Sequence, residues 1–230
     1  MPDRRETTAV LYSGGLDSAV LVASEARSRI VRPMYLSAGL WWEAEELSVA
    51  ERVLRSPAFG AGVLPMQRLS LPVADVLPES HWAIQGTPPA YDTPDEDVYL
   101  PGRNLVLLAK AAVACAASGI RRIALGPLAG NPFPDATPAF FAAMAQAASV
   151  GLAHEIAIAA PFAAMHKADV IRLGSGLGVP LALTMSCMRP VGGLHCGLCS
   201  KCRERRDAFD EAGVPDQTSY RAPSPRVSTS

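Results

Sequence analysis

The sequence predicts an α/β fold, a parallel sheet wound between helices and closed at its C-terminal end by a small four-cysteine knuckle. Three observations predict it. Short apolar, β-branched runs alternate with segments of helical periodicity. The turn Ser13-Gly14-Gly15-Leu16-Asp17-Ser18 directly follows the first of those runs. Near the other end, Cys187, Cys196, Cys199 and Cys202 are spaced C-x8-C-x2-C-x2-C.

Thr8–Tyr12 reads as a strand, and Asp17–Ala26 places Ala19, Val20, Leu21 and Ala23 at helical spacing. Ile30–Ser37 is expected to be a second strand, Glu43–Leu54 an amphipathic helix and Met66–Leu71 a third strand. This β-α-β-α-β order requires parallel pairing with right-handed crossovers. Between Ala74 and Leu100 periodicity stops, and Pro78, Pro88, Pro89, Pro94 and the acidic Asp95-Glu96-Asp97 mark a long loop, a feature that in a compact domain is functional or mobile. The pattern resumes with a helix over Arg103–Ala117, a strand over Arg122–Gly126, a helix over Pro138–Ala148, a strand over Glu155–Ala159 and a helix over His166–Leu173. The expected organisation is an α/β domain over 1–180, a metal-binding subdomain over 181–220 and a Pro/Ser-rich disordered tail over 221–230.

At 230 residues the chain is long enough to bury a single core without staples. Its 21 basic and 22 acidic side chains leave a formal charge of -1, which gives no electrostatic footprint for nucleic acid and favours a small-molecule substrate. The charged start Met1-Pro2-Asp3-Arg4-Arg5-Glu6 has no secretory character, and the Ala-rich run Ala109–Ala117 is too short and carries Lys110. A cytoplasmic protein that does not enter the membrane is expected. In a reducing compartment, four clustered cysteines favour a metal over disulfides.

A Gly-Gly pair after a strand lets backbone N–H groups approach an anion, while Ser13 and Ser18 add hydroxyl donors. The helix that follows aims its positive N-terminal end at the same place. An ordinary strand-to-helix turn would account for Gly-Gly alone; the whole string points to pyrophosphate. It lacks the spacing of a Walker A loop.

The two overlapping C-x2-C steps, Cys196 to Cys199 and Cys199 to Cys202, present thiols from one tight turn, and Cys187 returns to close a tetrahedral shell. A four-thiolate zinc site is structural rather than catalytic. An iron-sulfur cluster or free buried thiols are the competing readings. His195 is read as a neighbour or surface residue rather than a ligand, and Cys115, alone in an Ala-rich helix, as a small buried hydrophobe.

The string Ser13-Gly14-Gly15-Leu16-Asp17-Ser18 resembles the PP-loop of the ATP pyrophosphatases, enzymes that adenylate a substrate while cleaving ATP to AMP and pyrophosphate. This implies a Rossmann-like domain of the adenine nucleotide alpha hydrolase type. It also implies that Tyr12, Ser13, Gly14, Gly15, Leu16, Asp17 and Ser18 bind ATP and that Asp17 organises magnesium. Two C-terminal strings, Cys196-Gly197-x-Cys199-x-x-Cys202-Arg203-x-Arg205 and Ala212-Gly213-Val214-x-Asp216, follow Ser186-Cys187; with Pro101-Gly102-Arg103-Asn104 and Lys167-Ala168-Asp169 upstream, they make the chain similar to the 7-cyano-7-deazaguanine synthase family of the queuosine pathway.

That resemblance spans nearly the whole chain and implies a ligase using ATP, zinc, magnesium and free ammonia on a deazapurine carboxylate, through an amide to a nitrile. Arg103 and Lys167 would join Asp17 as catalytic groups, Asn104 and Asp135 would contact substrate, and Cys187, Cys196, Cys199 and Cys202 would hold zinc. A homodimer is the assembly held open. Two segments depart from the family pattern: Ser37-Ala38-Gly39-Leu40-Trp41-Trp42 loses a Gln, and Gly130–Pro138 keeps Pro134, Asp135 and Pro138 but lacks a Cys-Arg pair. The alternatives are therefore a ligase for another carboxylate or deazapurine, a tRNA-modifying PP-loop enzyme, or a non-catalytic ATP-binding module.

Overall fold

The computed structural model describes residues 5–225, leaving aside the side chain of Asp95. Five parallel strands form one sheet: β1 (Thr7–Leu11), β2 (Ile30–Ser37), β3 (Gln67–Ser70), β4 (Arg122–Ala124) and β5 (Ala157–Ala159). Their order across the sheet is β3-β2-β1-β4-β5, with Val10 opposite Pro33 on one side and Ala124 on the other. All five strands were anticipated, several with longer limits. The helices are α1 (Leu16–Glu25), α2 (Glu43–Leu54), α3 (Trp82–Gln85), α4 (Arg103–Ala117), α5 (Pro138–Leu152), α6 (Lys167–Gly176) and α7 (Ser200–Ala212).

Because successive strand residues face opposite sides, each strand feeds two cores. Val10 and Tyr35 pack with α1, α2, α6 and α7, whereas Ala9, Met34 and Ile123 pack with α4 and α5. Cys115 is fully buried in the second core, where burial pushes its thiol up to about 12, as befits a small hydrophobe. A third cluster of Ala38, Leu40, Trp42, Ala83 and Leu100 anchors the 74–100 loop, which contains the short helix α3. Trp42 stacks on Trp82 with centroids 5.5 Å apart. Trp41 covers Gly86, where a Cβ would lie 2.5 Å from the indole, so the tryptophan pair serves packing.

Helix α7 has no counterpart in the sequence reading. Its inward face carries Cys202, Arg205, Ala208 and Phe209. Arg205, only 1% exposed, donates to Thr218 Oγ1 at 2.8 Å, Thr184 Oγ1 at 3.0 Å, Ser186 Oγ at 3.1 Å and Leu181 O at 2.6 Å. A buried cation is tolerated only with such partners, and here they tie the knuckle helix to the segment before Cys187.

Residues 221–225, expected to begin a disordered tail, run along the knuckle instead. Arg221 N donates to His195 O at 2.8 Å, Ala222 N to Cys196 O at 3.2 Å, and the Ser224 and Tyr91 hydroxyls lie 3.0 Å apart. The rest of that expected tail, 226–230, lies outside the described residues. Among the described residues no helix is long and apolar enough to cross a membrane.

Candidate functional site

In an open parallel sheet, the crevice lies beyond the carboxyl ends of the strands where strand order reverses. That point falls between β1 and β4. A cavity of about 300 Å³ sits there, lined by Tyr12, Ser13, Asp17 and Ser18 after β1, by Leu125, Gly126 and Pro127 after β4, and by Arg103, Asn104 and Asp135.

The turn after β1 is shaped by close packing. Gly14 has φ +78°, and a Cβ there would sit 2.8 Å from Ala50 Cα, so only glycine lets α2 approach. Tyr12 holds that approach by donating from its hydroxyl to Ala50 O at 3.0 Å. Ser18 Oγ donates to Gly15 O at 3.0 Å and accepts from Ser13 N at 3.3 Å, while Gly15 N donates to Ser13 Oγ at 3.2 Å. The loop is thus braced before any anion arrives, beside the positive end of α1.

Asp17, in the first turn of α1, meets Lys167 at the start of α6 with Oδ2 3.2 Å from Nζ. Lys167 also donates to Glu204 Oε1 at 2.5 Å, and Glu204 Oε2 accepts from Lys201 at 2.7 Å. Burial pushes the Asp17 carboxyl up against the opposing pull of Lys167. For Lys167 burial acts downward, but Asp17 and Glu204 outweigh it and raise its pKa. Burial would raise Glu204, yet Lys167 and Lys201 hold it down at about 2. Asp17 Oδ1 is sealed from solvent and accepts no hydrogen bond among the described residues. A hard dication takes such an oxygen readily. His166 begins α6 as its N-cap residue, its backbone N–H donating to Asp169 Oδ2 at 3.0 Å.

Arg103 begins α4 after Gly102, whose φ of +72° turns the chain. It lines the cavity, and among the described residues no hydrogen bond or ion pair claims its guanidinium. Asn104 and Asp135 are joined: Asn104 N donates to Asp135 Oδ2 at 2.8 Å, and Asn104 Nδ2 to Asp135 O at 2.9 Å. Each therefore positions the other at the cavity wall. In the Ser37–Trp42 stretch, Glu43 collects Ser37 Oγ at 2.6 Å and Ala38 N at 2.7 Å, so this loop satisfies itself.

The sequence reading did not place Tyr35, Glu46, Tyr99, Phe133, Lys201 or Glu204 in the site. Tyr99 and Phe133 stack at the cavity with centroids 5.0 Å apart. Glu46 lines the cavity and accepts from the Tyr35 hydroxyl at 3.0 Å; burial pushes its carboxyl up to about 7, beyond what Arg103 offsets. A carboxyl raised in the folded state favours folding while protonated, and that advantage fades as pH rises from 4.5 to about 7. Glu46→Gln should therefore gain stability relative to the parent between pH 5 and pH 8, as checked by melting temperature across that range. A constant difference would remove the buried-carboxylate account.

The four cysteines meet as anticipated, their sulfurs all within 4.8 Å of one another. Arg189 N and Cys196 N each donate to Cys187 Sγ at 3.2 Å, and Leu198 N to Cys196 Sγ at 3.3 Å. Amide donors of this kind suit thiolates, and with Cys187, Cys199 and Cys202 buried the set fits a closed metal site such as zinc. His195 stays out of the set: it is 2% exposed, its Nε2 accepts from Ser186 N at 3.1 Å, and burial lowers its pKa to about 3. The surface position considered for it is excluded.

Comparison with known proteins agrees with this geometry. A 7-cyano-7-deazaguanine synthase of Porphyromonas gingivalis is 32% identical over 228 residues, covering 94% of this chain and 98% of its own. Proteins of the same name from Anaeromyxobacter dehalogenans and Methanothrix thermoacetophila are each 35% identical, over 92% and 91% of this chain and 94% and 96% of theirs. The family described as queuosine biosynthesis protein QueC matches residues 7–213. A parallel sheet with its crevice at the β1/β4 switch, a Ser-Gly-Gly turn and a four-cysteine knuckle thus go with a match along nearly the whole chain: the protein belongs to the QueC family of queuosine biosynthesis proteins.

Proposed function

We propose that the protein is an ATP-dependent carbon-nitrogen ligase that converts 7-carboxy-7-deazaguanine to the 7-cyano base. The observation that carries this reading is the convergence of Ser13, Ser18, Asp17, Arg103 and the Asn104–Asp135 pair on one crevice. In the proposed reaction the substrate carboxylate attacks the α-phosphorus of ATP, and pyrophosphate leaves. Ammonia then adds to the acyl carbon and AMP departs, giving the primary amide. A second ATP adenylates the amide oxygen, releasing a second pyrophosphate and one N–H proton, and loss of AMP with the remaining N–H proton leaves the nitrile.

The chain's own groups position and neutralise rather than form covalent bonds. The Ser13–Ser18 turn and the start of α1 grip phosphates, and Arg103 and Lys167 offset the charge that gathers at phosphorus. Asn104 and Asp135 face the base with the oxygens their mutual hydrogen bonds leave available, and Tyr99 and Phe133 supply flat apolar surface beside it. Magnesium would sit at Asp17 and supply charge neutralisation to the phosphates. Zinc would be held by Cys187, Cys196, Cys199 and Cys202 and would fix the start of α7. In this division of labour 1–180 is the nucleotide domain and 181–220 the zinc-binding subdomain.

The test is a reaction of the metal-loaded protein with 7-carboxy-7-deazaguanine, ATP, magnesium and ammonium, with base and nucleotide followed together by mass spectrometry. The nitrile and AMP should appear together. An amide that accumulates without nitrile would remove the second activation, and an unchanged base would overturn the substrate.

A further inference from the structure

Beside the main crevice lies a smaller cavity of about 190 Å³ that shares Asp17, Gly126, Asn131 and Phe133 with it. Its wall also carries Lys167 from α6 and Lys201 and Glu204 from α7. Glu204 holds both ammonium groups, Lys167 on Oε1 at 2.5 Å and Lys201 on Oε2 at 2.7 Å. These three side chains are between 18% and 25% exposed, so their charges act in a setting less screened than open surface.

Docking of α7 on α6 does not need this ion cluster. Arg172 on α6 already donates to Glu211 O at 2.6 Å and Ala212 O at 3.2 Å at the far end of α7, and Phe209 and Ala208 bury against the same core as Val170 and Ile171. The cluster instead faces a cavity that adjoins the Ser13–Ser18 turn. Lys167 also meets Asp17 Oδ2 at 3.2 Å, so two ammonium groups face two carboxylates; with magnesium on Asp17, as proposed above, the wall beside the phosphate loop is left cationic and suits a small polyanion with several oxygens. Such a ligand would take hydrogen bonds from both lysines in competition with the carboxylates that hold them.

We propose that Lys201 is a pyrophosphate-binding residue, pairing with Lys167 across Glu204 to hold the diphosphate that adenylation releases. The inference rests on the adenylation reading above and adds a ligand contact from the metal knuckle.

Magnesium pyrophosphate is titrated calorimetrically into the full-length, metal-loaded protein and into Lys201→Met and Glu204→Gln, with metal content confirming that each variant keeps its knuckle. Lys201→Met should weaken pyrophosphate about tenfold or more while AMP affinity stays within about twofold; Glu204→Gln should keep pyrophosphate affinity within about threefold. Unchanged affinity in Lys201→Met would overturn the assignment alone. Equal losses in both variants would also overturn it, because a cluster that merely holds the fold would respond so. If the parent bound neither ATP nor pyrophosphate, the adenylation reading would fall as well.

Discussion

Asp17→Asn is expected to lower AMP formation by about a thousandfold or more while leaving the fold at least as stable. The two halves of this expectation come from the same burial. Asp17 Oδ1 is sealed with no hydrogen bond among the described residues, and burial raises the carboxyl more than Lys167 lowers it. In the ligand-free protein the charged form therefore disfavours folding, increasingly as pH rises above the ordinary carboxyl value of 3.8. Asparagine removes that cost, and Lys167 retains its bond to Glu204. What asparagine cannot supply is the anionic oxygen that the proposed reaction assigns to magnesium. Steady-state AMP release and a melting curve at pH 7.5 check both halves. Retained activity would remove Asp17 from the chemistry, and a large drop in melting temperature would make it a structural residue.

The alternation of strands and helices was legible because parallel strands buried on both faces read as short apolar runs, and all five such runs lie in the sheet. The turn at Ser13–Ser18 was legible as a strand-to-helix junction because small residues directly follow an apolar strand, and Gly14 with φ +78° sits where α2 packs close. Helix α7 was not, for a physical reason. Its buried positions follow helical spacing at 202, 205, 208 and 209, but the first is a cysteine and the second an arginine, so apolar periodicity misses them. With α7 unseen, Lys201 and Glu204 had no place in the sequence reading. Glu46 escaped similarly: one acid among Glu43, Glu45 and Glu46 at the start of α2 looks like helix-dipole compensation, and only the fold turns it toward the cavity and Tyr35. Asp135 was picked out from sequence as a substrate contact, yet its tie to Asn104 needs the meeting of α4 with the 134–136 turn.

The same helix makes the metal site the point where folding and catalysis join. Cys199 caps α7, Lys201 and Glu204 occupy its first turns, and Cys199 and Cys202 belong to the core that includes Val10 and Leu16. Zinc bound by four thiolates contributes about 10 kcal/mol or more to folding in small domains, because the site does not exist in the unfolded chain. Cys199→Ser, or exhaustive chelation, is thus expected to lower the melting temperature by about 10 °C or more and to abolish amide protection over 185–220. Loss of AMP formation should follow metal release with the same time course, since Lys167 then loses Glu204 as α7 frays. The order of events separates this from damage to the nucleotide site: Asp17→Asn should keep its zinc and its protected α7 while inactive. A chelated protein that melts within about 1 °C of the parent would show that packing of Phe209 and the buried Arg205 hydrogen bonds suffice to hold α7, and the metal would then have to act elsewhere.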